Sequence, residues 1–314
     1  MEIFTVKNPG ALTTIQDLGR FGFLEMGVPR SGALDSFACR VANLLAGNPE
    51  NRAVLEITIT GPTLVAMAEA EIALTGAEMG MTVNSNPVGS WRTTRVQKGD
   101  IVRIPRASSG CRAYLAVNGG FDVPLVMKSR STFVRADFGG LKGRGLVKGD
   151  LLKKGEDIVL PEPSRILPAQ FIPEYRKEIV LRAIPGPQDN FFRNAADSFF
   201  TTRYEVTAQS DRMGCRLRGP LVEHDPGAPR SIITEPVTPG NIQIPADGQP
   251  IILLVEQTTG GYSKIATVIT ADMGGIAQAM PGSPVRFKRV SIEEAHRLYR
   301  EDENRLQKIR KILR

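Results

Sequence analysis

The sequence is poor in the residues from which metal centres and nucleophile sites are most often built. Its 314 residues include three cysteines, Cys39, Cys111 and Cys215, and two histidines, His224 and His296. No closely spaced Cys/His set suggests a zinc site, and no nucleophile stands beside a histidine base. An odd number of widely separated cysteines is typical of reduced thiols rather than of a disulfide framework. We therefore expect a cytoplasmic protein without a side-chain metal centre.

Long apolar runs are also missing. The longest aliphatic run covers residues 251–255, far fewer than the ~20 residues that cross a bilayer. The N-terminus has no cationic stretch followed by an apolar segment of the kind that directs secretion. The sequence predicts neither secretion nor membrane insertion.

The net charge of +7 does not indicate nucleic-acid binding, because it is concentrated at one end. Residues 297–314 contain seven basic and three acidic side chains, so the rest of the chain is nearly balanced. Aromatic residues make up 6% of the chain and do not alternate with basic ones. Proteins that bind single strands combine basic grooves with aromatic platforms. We expect no nucleic-acid partner.

What the chain does contain is a series of short β segments separated by Gly, Pro and Asn. Examples are RAVLEITIT at 52–60, EIVLRAIP at 178–185 and KIATVIT at 264–270. Many short strands predict closed or sandwiched sheets, so the fold class is mainly β with a few helices. Helical periodicity predicts helices over residues 35–47, 189–200 and 291–314.

The order of these elements predicts two β halves, with boundaries at residues 1–160 and 176–290. Between them, residues 161–175 contain four prolines without strand alternation and are predicted to be a linker. The C-terminal segment 291–314 begins with a capping-box pattern, Ser291 and Glu294. Its apolar positions form a narrow, interrupted stripe, so we expect this charged helix to lie on the surface.

The segment TTIQDLGRFG at 13–22 is the first candidate site. It combines Thr14, Gln16, Asp17 and Arg20 with two glycines. A salt-bridged turn would explain the pattern, but neither Asp17 nor Arg20 is needed for an apolar core. Arginine is a planar donor that can hold a carboxylate or phosphoryl group, which favours a site.

Four further polar segments are candidates. QTTGGY at 257–262 can turn backbone N–H groups and hydroxyls toward a carboxylate or phosphate, or be a polar hairpin turn. KSRST at 128–132 and SDRMG at 210–214 each offer an arginine that either clamps an anion or forms a surface ion pair. In RSGALD at 30–35, Asp35 is better interpreted as the N-cap of the helix that follows.

Taken in order, these segments resemble the biotin-dependent carboxyltransferase family, also called allophanate hydrolase subunit 2. The resemblance extends over nearly the whole chain and includes TTIQDLGRFG, KSRST, SDRMGCRLRGP and QTTGGY at roughly the family spacing. It implies a mainly β chain with two barrel-like halves of cyclophilin type. It also implies a partner, the B subunit of 5-oxoprolinase, that completes the active site.

Stand-alone bacterial members of this family act as the C subunit of 5-oxoprolinase, and this is the leading function that the resemblance implies. With the A and B subunits, and with ATP and Mg²⁺ in the assembled complex, the lactam of 5-oxoproline would be opened to glutamate. The predicted catalytic residues are Asp17, Arg20, Arg130 and Arg212. The predicted substrate-binding residues are Thr14, Gln16, Ser31, Ser131, Ser210, Asp211, Gln257, Thr258, Thr259, Gly260, Gly261 and Tyr262.

In this scheme the arginines neutralise phosphate or carboxylate charge, and Asp17 orients an arginine or binds Mg²⁺. Two alternatives remain open. The chain has no biotinyl-lysine motif, so biotin is not attached to it, but it can be a transferase subunit that moves a carboxyl group from carboxybiotin to urea or a related amide. It can also be a non-catalytic partner of the B subunit, because a family relative antagonises a histidine-kinase inhibitor.

Overall fold

The chain folds into two compact units in a computed structural model that describes residues 1–156, 158 and 164–313. The units are composed of discontinuous segments: unit 1 comprises Met1–Phe21, Ser31–Tyr175 and Asn304–Arg314, and unit 2 comprises Gly22–Arg30 and Arg176–Glu303. Residues 161–163 of the predicted linker, and residue 314 at the end of the predicted C-terminal helix, lie outside the described residues. No helix in the described part of the chain is both long and apolar enough to span a membrane.

Unit 1 contains two open β-sheets. Its strands are β1 (Glu2–Asn8), β2 (Leu12–Gln16), β3 (Val54–Thr58), β4 (Thr63–Ala66), β5 (Ala70–Glu78), β6 (Thr82–Val83), β7 (Asn86–Pro87), β8 (Thr93–Val96), β9 (Ile101–Arg103), β10 (Ser109–Val117) and β11 (Leu151–Lys153). The strand order is β11-β1-β4-β9-β6-β7 in one sheet and β2-β3-β10-β5-β8 in the other. Apolar side chains of both sheets, such as Phe4, Leu55 and Ile72, form one buried core.

The prediction of a barrel in the first half is therefore wrong. Each sheet of unit 1 keeps two edge strands, and the two sheets bury a common core instead of closing. Two sheets that pack face to face bury the alternating apolar side chains of short strands, as a barrel also does.

Helix α1 (Ser36–Leu45) begins where the sequence predicts a helix. The Asp35 carboxylate accepts a hydrogen bond of 3.0 Å from the Ala38 N–H, so its interpretation as an N-cap is confirmed. The buried face of the helix, including Val41 and Leu45, packs with Tyr114 of β10.

The last helix, α4 (Ile292–Ile312), does not lie wholly on the surface as expected. Leu306, Ile309 and Leu313 are buried in the same core cluster as α1. Their spacing of three and four residues forms a short but complete apolar seam. The guanidinium of Arg310 also pairs with Glu50, and this pair holds the end of the helix on unit 1.

Unit 2 is built around a closed seven-stranded barrel. The strands of unit 2 are β12 (Ile179–Pro185), β13 (Arg203–Val206), β14 (Gly214–Arg218), β15 (Glu235–Pro236), β16 (Asn241–Ile244), β17 (Ile251–Leu253), β18 (Thr259–Gly260), β19 (Ser263–Val268) and β20 (Pro284–Arg289). Two of them, β15 and β18, form a separate two-stranded sheet. The barrel order is β12-β19-β16-β17-β14-β13-β20, and parallel pairing of β12 with β20 closes it. The barrel prediction is confirmed for this half, and its likeness to cyclophilins stays a prediction.

The predicted helix over 189–200 is interrupted. A 3₁₀ helix (Asp189–Phe191) precedes α2 (Ala196–Thr201), and between them the N–H groups of Arg193 and Asn194 donate to the Asp225 carboxylate at 3.1 Å. A side chain distant in sequence thus replaces the hydrogen bonds of a continuous helix. The remaining short elements are α3 (Met273–Ala277) and 3₁₀ helices at Leu24–Met26, Val134–Ala136, Ala169–Phe171 and Thr270–Asp272.

Candidate functional site

Asp17 is the centre of a hydrogen-bonded cluster in unit 1, directly after β2. One carboxylate oxygen accepts from the Gly19 N–H at 2.8 Å and from the hydroxyls of Ser129 at 2.7 Å and Ser131 at 2.5 Å. The other oxygen accepts from the Arg130 N–H at 2.6 Å. Asp17 is 7% exposed. With four donors on two oxygens, the carboxylate ties the loop at 128–132 to the end of β2.

Arg20 joins the same cluster through Ser131. Its Nη2 donates to the Ser131 carbonyl at 2.5 Å, and its Cζ lies 4.8 Å from the centroid of the Phe138 ring. Gly139, with a φ of 70°, makes this fit possible, because a Cβ there would lie 2.1 Å from the Ser131 carbonyl and 2.9 Å from Nη2. The structure thus brings Asp17 and Arg20 together, with Ser131 as their common partner.

The side chains of Gln16 and Thr14 also form hydrogen bonds within unit 1. The Gln16 amide donates to the Thr14 hydroxyl at 3.0 Å and to the Thr132 carbonyl at 3.2 Å. Its carbonyl oxygen accepts from the Gly32 N–H at 3.1 Å, which holds the preceding Ser31 against the cluster. Ser31 has a φ of 52°, and its buried hydroxyl has no hydrogen-bond partner among the described residues.

Arg130 contributes to this cluster mainly through its backbone. Its side chain points elsewhere: Nε donates to the Val123 carbonyl at 3.0 Å, and Nη2 lies 3.5 Å from the half-exposed carboxylate of Asp122. The Arg130 guanidinium is therefore at the edge of unit 1, apart from the buried Asp17 carboxylate.

In unit 2, Arg212 forms a buried ion pair with Glu256. The Arg212 Nε lies 2.6 Å from the Glu256 carboxylate, and both side chains are less than 10% exposed. Ser210 and Asp211 serve the local turn instead. The Asp211 carboxylate accepts from the Met213 N–H at 2.8 Å, and the Ser210 hydroxyl accepts from a backbone N–H of β14 at 3.0 Å.

The loop at 257–262 connects β17 to β19 and is hydrogen-bonded to the segment 232–237. Its strand β18 pairs with β15, and the Thr258 and Gly261 carbonyls accept hydrogen bonds of 3.0 and 2.8 Å from that segment. The Gln257 amide donates to the Thr259 carbonyl at 2.6 Å. Tyr262 is exposed. The hairpin interpretation of this loop is wrong, because β17 and β19 on either side of it do not pair with each other, and the loop strand β18 pairs with β15 instead.

Gln243 lies directly beneath this loop. Its carboxamide is so close to Gly260 that a Cβ there would lie 2.2 Å from the Gln243 Nε2. Gln243 is 3% exposed, and its Nε2 has no hydrogen-bond partner in the part of the chain that the structure describes. A buried N–H donor without an acceptor is costly, so this group stands out from its surroundings.

Lys264 and Glu235 complete the polar cluster around Gln243. Lys264 is the register partner of Gln243 in the β16–β19 pair, and its buried Nζ donates to the Glu235 carboxylate. This hydrogen bond is the main reason that the pKa of Glu235 lies below its ordinary value, and a second one from Gln188 acts in the same direction. Glu235 is therefore ionised at neutral pH.

Glu256, Gln243, Lys264 and Glu235 are missing from the candidates that the sequence offers. Glu256 and Lys264 flank the loop at 257–262, and this proximity is the signal that could have identified them. Gln243 could have been noticed as a polar residue within the buried segment NIQI of β16.

Side-chain ligands for a metal ion are not clustered in the described residues. Among them there is no group of three His, Cys, Asp or Glu side chains that could hold a metal ion. Mg²⁺ is usually held by carboxylates, and the Asp17 carboxylate already accepts four hydrogen bonds.

Comparison with known proteins identifies one family. The model of the carboxyltransferase domain, subdomain A and B, matches residues 26–289. The chain is 39% identical to the C subunit of 5-oxoprolinase from Haemophilus influenzae, an alignment that covers 100% of this chain and 98% of that protein. It is also 39% identical to the Escherichia coli protein of the same name, with 94% of each chain covered.

The fold is also found in a larger protein. The crystal structure of the urea amidolyase of K. lactis superimposes with a TM-score of 0.92 at 31% identity. The match covers 98% of this chain and 20% of the amidolyase chain.

Proposed function

Because the chain belongs to the carboxyltransferase-domain family, subdomains A and B, we propose that it serves as the C subunit of an ATP-dependent 5-oxoprolinase. The observation that carries this proposal is the identity of 39% to two proteins of that name, over 98% and 94% of their lengths. The substrate would be a small amide, the lactam of 5-oxoproline, and the product L-glutamate.

The chain would work in a hetero-oligomer with the A and B subunits in the cytoplasm. When bound, ATP would activate the lactam carbonyl, because phosphorylation of its oxygen would turn that oxygen into part of a leaving group. The nucleotide and Mg²⁺ would be bound in the assembled complex. What this chain can supply is positioning of the amide by fixed polar groups.

The predicted catalytic arginines differ in how well the structure suits them for this task. Arg212 is paired with Glu256 and Arg20 is buried on Ser131, whereas the Arg130 guanidinium is partly exposed. We retain Asp17, Arg20, Arg130 and Arg212 as predicted catalytic residues, with Arg20 as the position to test first.

Reconstitution tests the proposed function. The three subunits are co-expressed and purified as a complex, then given ATP and 5-oxoproline, and glutamate and ADP are measured. We expect both products only when this chain is present, and the complex without it is the control. A stable complex that yields neither product at saturating substrate would refute the proposal and leave the carboxyl-transfer and regulatory alternatives.

Carboxyl transfer is the second candidate function, and the likeness to the urea amidolyase structure favours it. It requires a biotin carboxylase and a biotin carrier protein as co-reactants. The chain and its partner would be mixed with both, with ATP, labelled bicarbonate and urea. Label that appears on urea, with no glutamate formed from 5-oxoproline, would replace the first proposal with this one.

A further inference from the structure

Gln243 in unit 2 is 3% exposed, and its side-chain nitrogen has no acceptor. Among the described residues of unit 2, no other side-chain amide nitrogen is both buried and without an acceptor. Burying an N–H donor without a hydrogen bond is energetically costly. The cost is compensated if the donor binds something that is not part of the chain.

The surroundings of Gln243 place an acceptor beside this donor. Gly260 covers the carboxamide, and Gly260 is also the register partner of Glu235 in the β15–β18 pair. Lys264 lies next to both Gln243 and Glu235, since it is the register partner of Gln243 and its Nζ donates to the Glu235 carboxylate. The Glu235 side chain is 43% exposed, so a ligand can reach it from solvent.

A neutral N–H donor next to a carboxylate is complementary to an amide, which presents a carbonyl oxygen and an N–H side by side. The positive charge of Lys264 is already balanced by Glu235, so the cluster has no excess charge to attract a free anion. Resting on the proposed function, we propose that Gln243 and Glu235 bind the lactam of the substrate. Gln243 Nε2 donates to the lactam carbonyl, and the Glu235 carboxylate accepts from the lactam N–H.

Binding requires the loop at 257–262 to move from Gln243, because Gly260 occupies the space above the carboxamide. The pairing that holds the loop there is a two-residue ladder between β15 and β18. Gly260 is required at this point, because any side chain would be driven into the Gln243 amide.

The test compares Gln243→Met with Gln249→Met in the reconstituted complex. Methionine keeps the length of the side chain and removes the donor. For Gln243→Met we expect KM for 5-oxoproline to rise ~10-fold, because one hydrogen bond to the substrate is lost. We expect its Tm to stay equal or to rise, because no hydrogen bond of Nε2 within the described chain is lost.

Gln249 is a matched control, because both ends of its amide are bonded to the backbone of Gly219, at 2.9 and 3.0 Å. Gln249→Met should lower Tm and leave KM unchanged. If Gln243→Met behaves in the same way, or leaves KM unchanged, Gln243 is structural and the inference is wrong.

Two fragments of the substrate identify the group that Gln243 recognises. 2-Pyrrolidinone has the lactam without the carboxylate, and cyclopentanecarboxylate has the carboxylate without the lactam. Gln243→Met should weaken inhibition by the first ~10-fold and leave the second unchanged. The reverse result would overturn the assignment to the lactam.

A failure of the proposed function gives a different result from a failure of this inference. If the wild-type complex does not turn over 5-oxoproline, binding of 2-pyrrolidinone and urea to the wild-type chain is measured by calorimetry. Binding that Gln243→Met abolishes would support the amide site without the 5-oxoprolinase function. Binding that the variant retains, or no binding to either chain, would refute the site as well.

Discussion

The Asp17 cluster of unit 1 and the Gln243 cluster of unit 2 each place buried polar side chains next to a glycine-containing loop, but they differ in how these side chains are satisfied. The Asp17 carboxylate accepts four hydrogen bonds from its own chain. The Gln243 Nε2 donates none within the described residues. Buried polar groups are normally satisfied, and each exception needs an explanation.

Buried polar side chains therefore have different roles in the two clusters. In unit 1 the carboxylate holds two segments that are more than a hundred residues apart, and its removal would release both. In unit 2 the carboxamide holds nothing through its nitrogen, and its removal would release nothing. In unit 2 the unused Gln243 donor, rather than the number of polar residues in a segment, is the feature that points to a ligand.

The largest effect that this comparison predicts is for Asp17→Asn. The amide cannot accept four hydrogen bonds and presents its own N–H groups to donors of the cluster. We expect the free energy of unfolding to fall by about 3 kcal/mol, because hydrogen bonds to a buried charge are lost. Urea denaturation of the purified chain measures this loss.

Asp122→Asn is the control for that variant, since the Asp122 carboxylate is half-exposed and lies 3.5 Å from Arg130. It should change stability by less than ~0.5 kcal/mol. If Asp17→Asn is as stable as wild type, the four hydrogen bonds of Asp17 do not hold the two segments together and the comparison fails.

The next effect concerns the C-terminal helix, which belongs to the scaffold of unit 1. Ile309 is fully buried beside α1, whereas Ile312 on the same helix is 52% exposed. Ile309→Ala should lower the free energy of unfolding by about 2.5 kcal/mol, and Ile312→Ala should have almost no effect. If both variants show equal, small losses of stability in chemical denaturation, the helix lies on the surface, as the sequence predicts.

Arg20→Lys should have a smaller effect on stability and a measurable one on turnover. Lysine keeps the charge but loses the planar fork and the contact with the Phe138 ring. We expect the variant to assemble with its partners and to lose at least ~30-fold in kcat of the reconstituted enzyme, about 2 kcal/mol of transition-state stabilisation. A lowered Tm with full kcat would show that Arg20 only supports the Asp17 cluster.

Local signals in the sequence predicted much of the fold. The helix at 35–47 was predictable because its N-cap and its apolar face are both local, and most strands were predictable from alternation and glycine. The break in the helix at 189–200 was not, because the Asp225 carboxylate that interrupts it comes from a distant segment. The closure of one half and not the other also depends on pairings between distant strands, such as β12 with β20.

The same limit explains what could be predicted of the candidate sites. The loop at 257–262 was visible as a motif, but the Gln243 carboxamide beneath it is placed there by strand register, which a motif does not contain. Conversely, Asp17 and Gln16 resemble site residues in sequence because the residues that satisfy them, such as Ser129 and Thr132, are more than a hundred positions away.

The smallest predicted effect is the pH dependence that Glu235 contributes to stability. The hydrogen bond from Lys264 holds the pKa of Glu235 below its ordinary value of 4.5. Its contribution is therefore fully present above pH 4.5 and is lost as the pH falls through the lowered pKa of the folded state. Because the side chain is 43% exposed, we expect at most ~1 kcal/mol between wild type and Glu235→Gln at pH 7. Denaturation curves from pH 7 to pH 3 should show this difference disappearing below pH 4.5, and in a Lys264→Met background it should be smaller, because only the weaker hydrogen bond from Gln188 remains. A difference that persists unchanged to pH 3 would mean that Glu235 is not the ionised acceptor that the amide site requires.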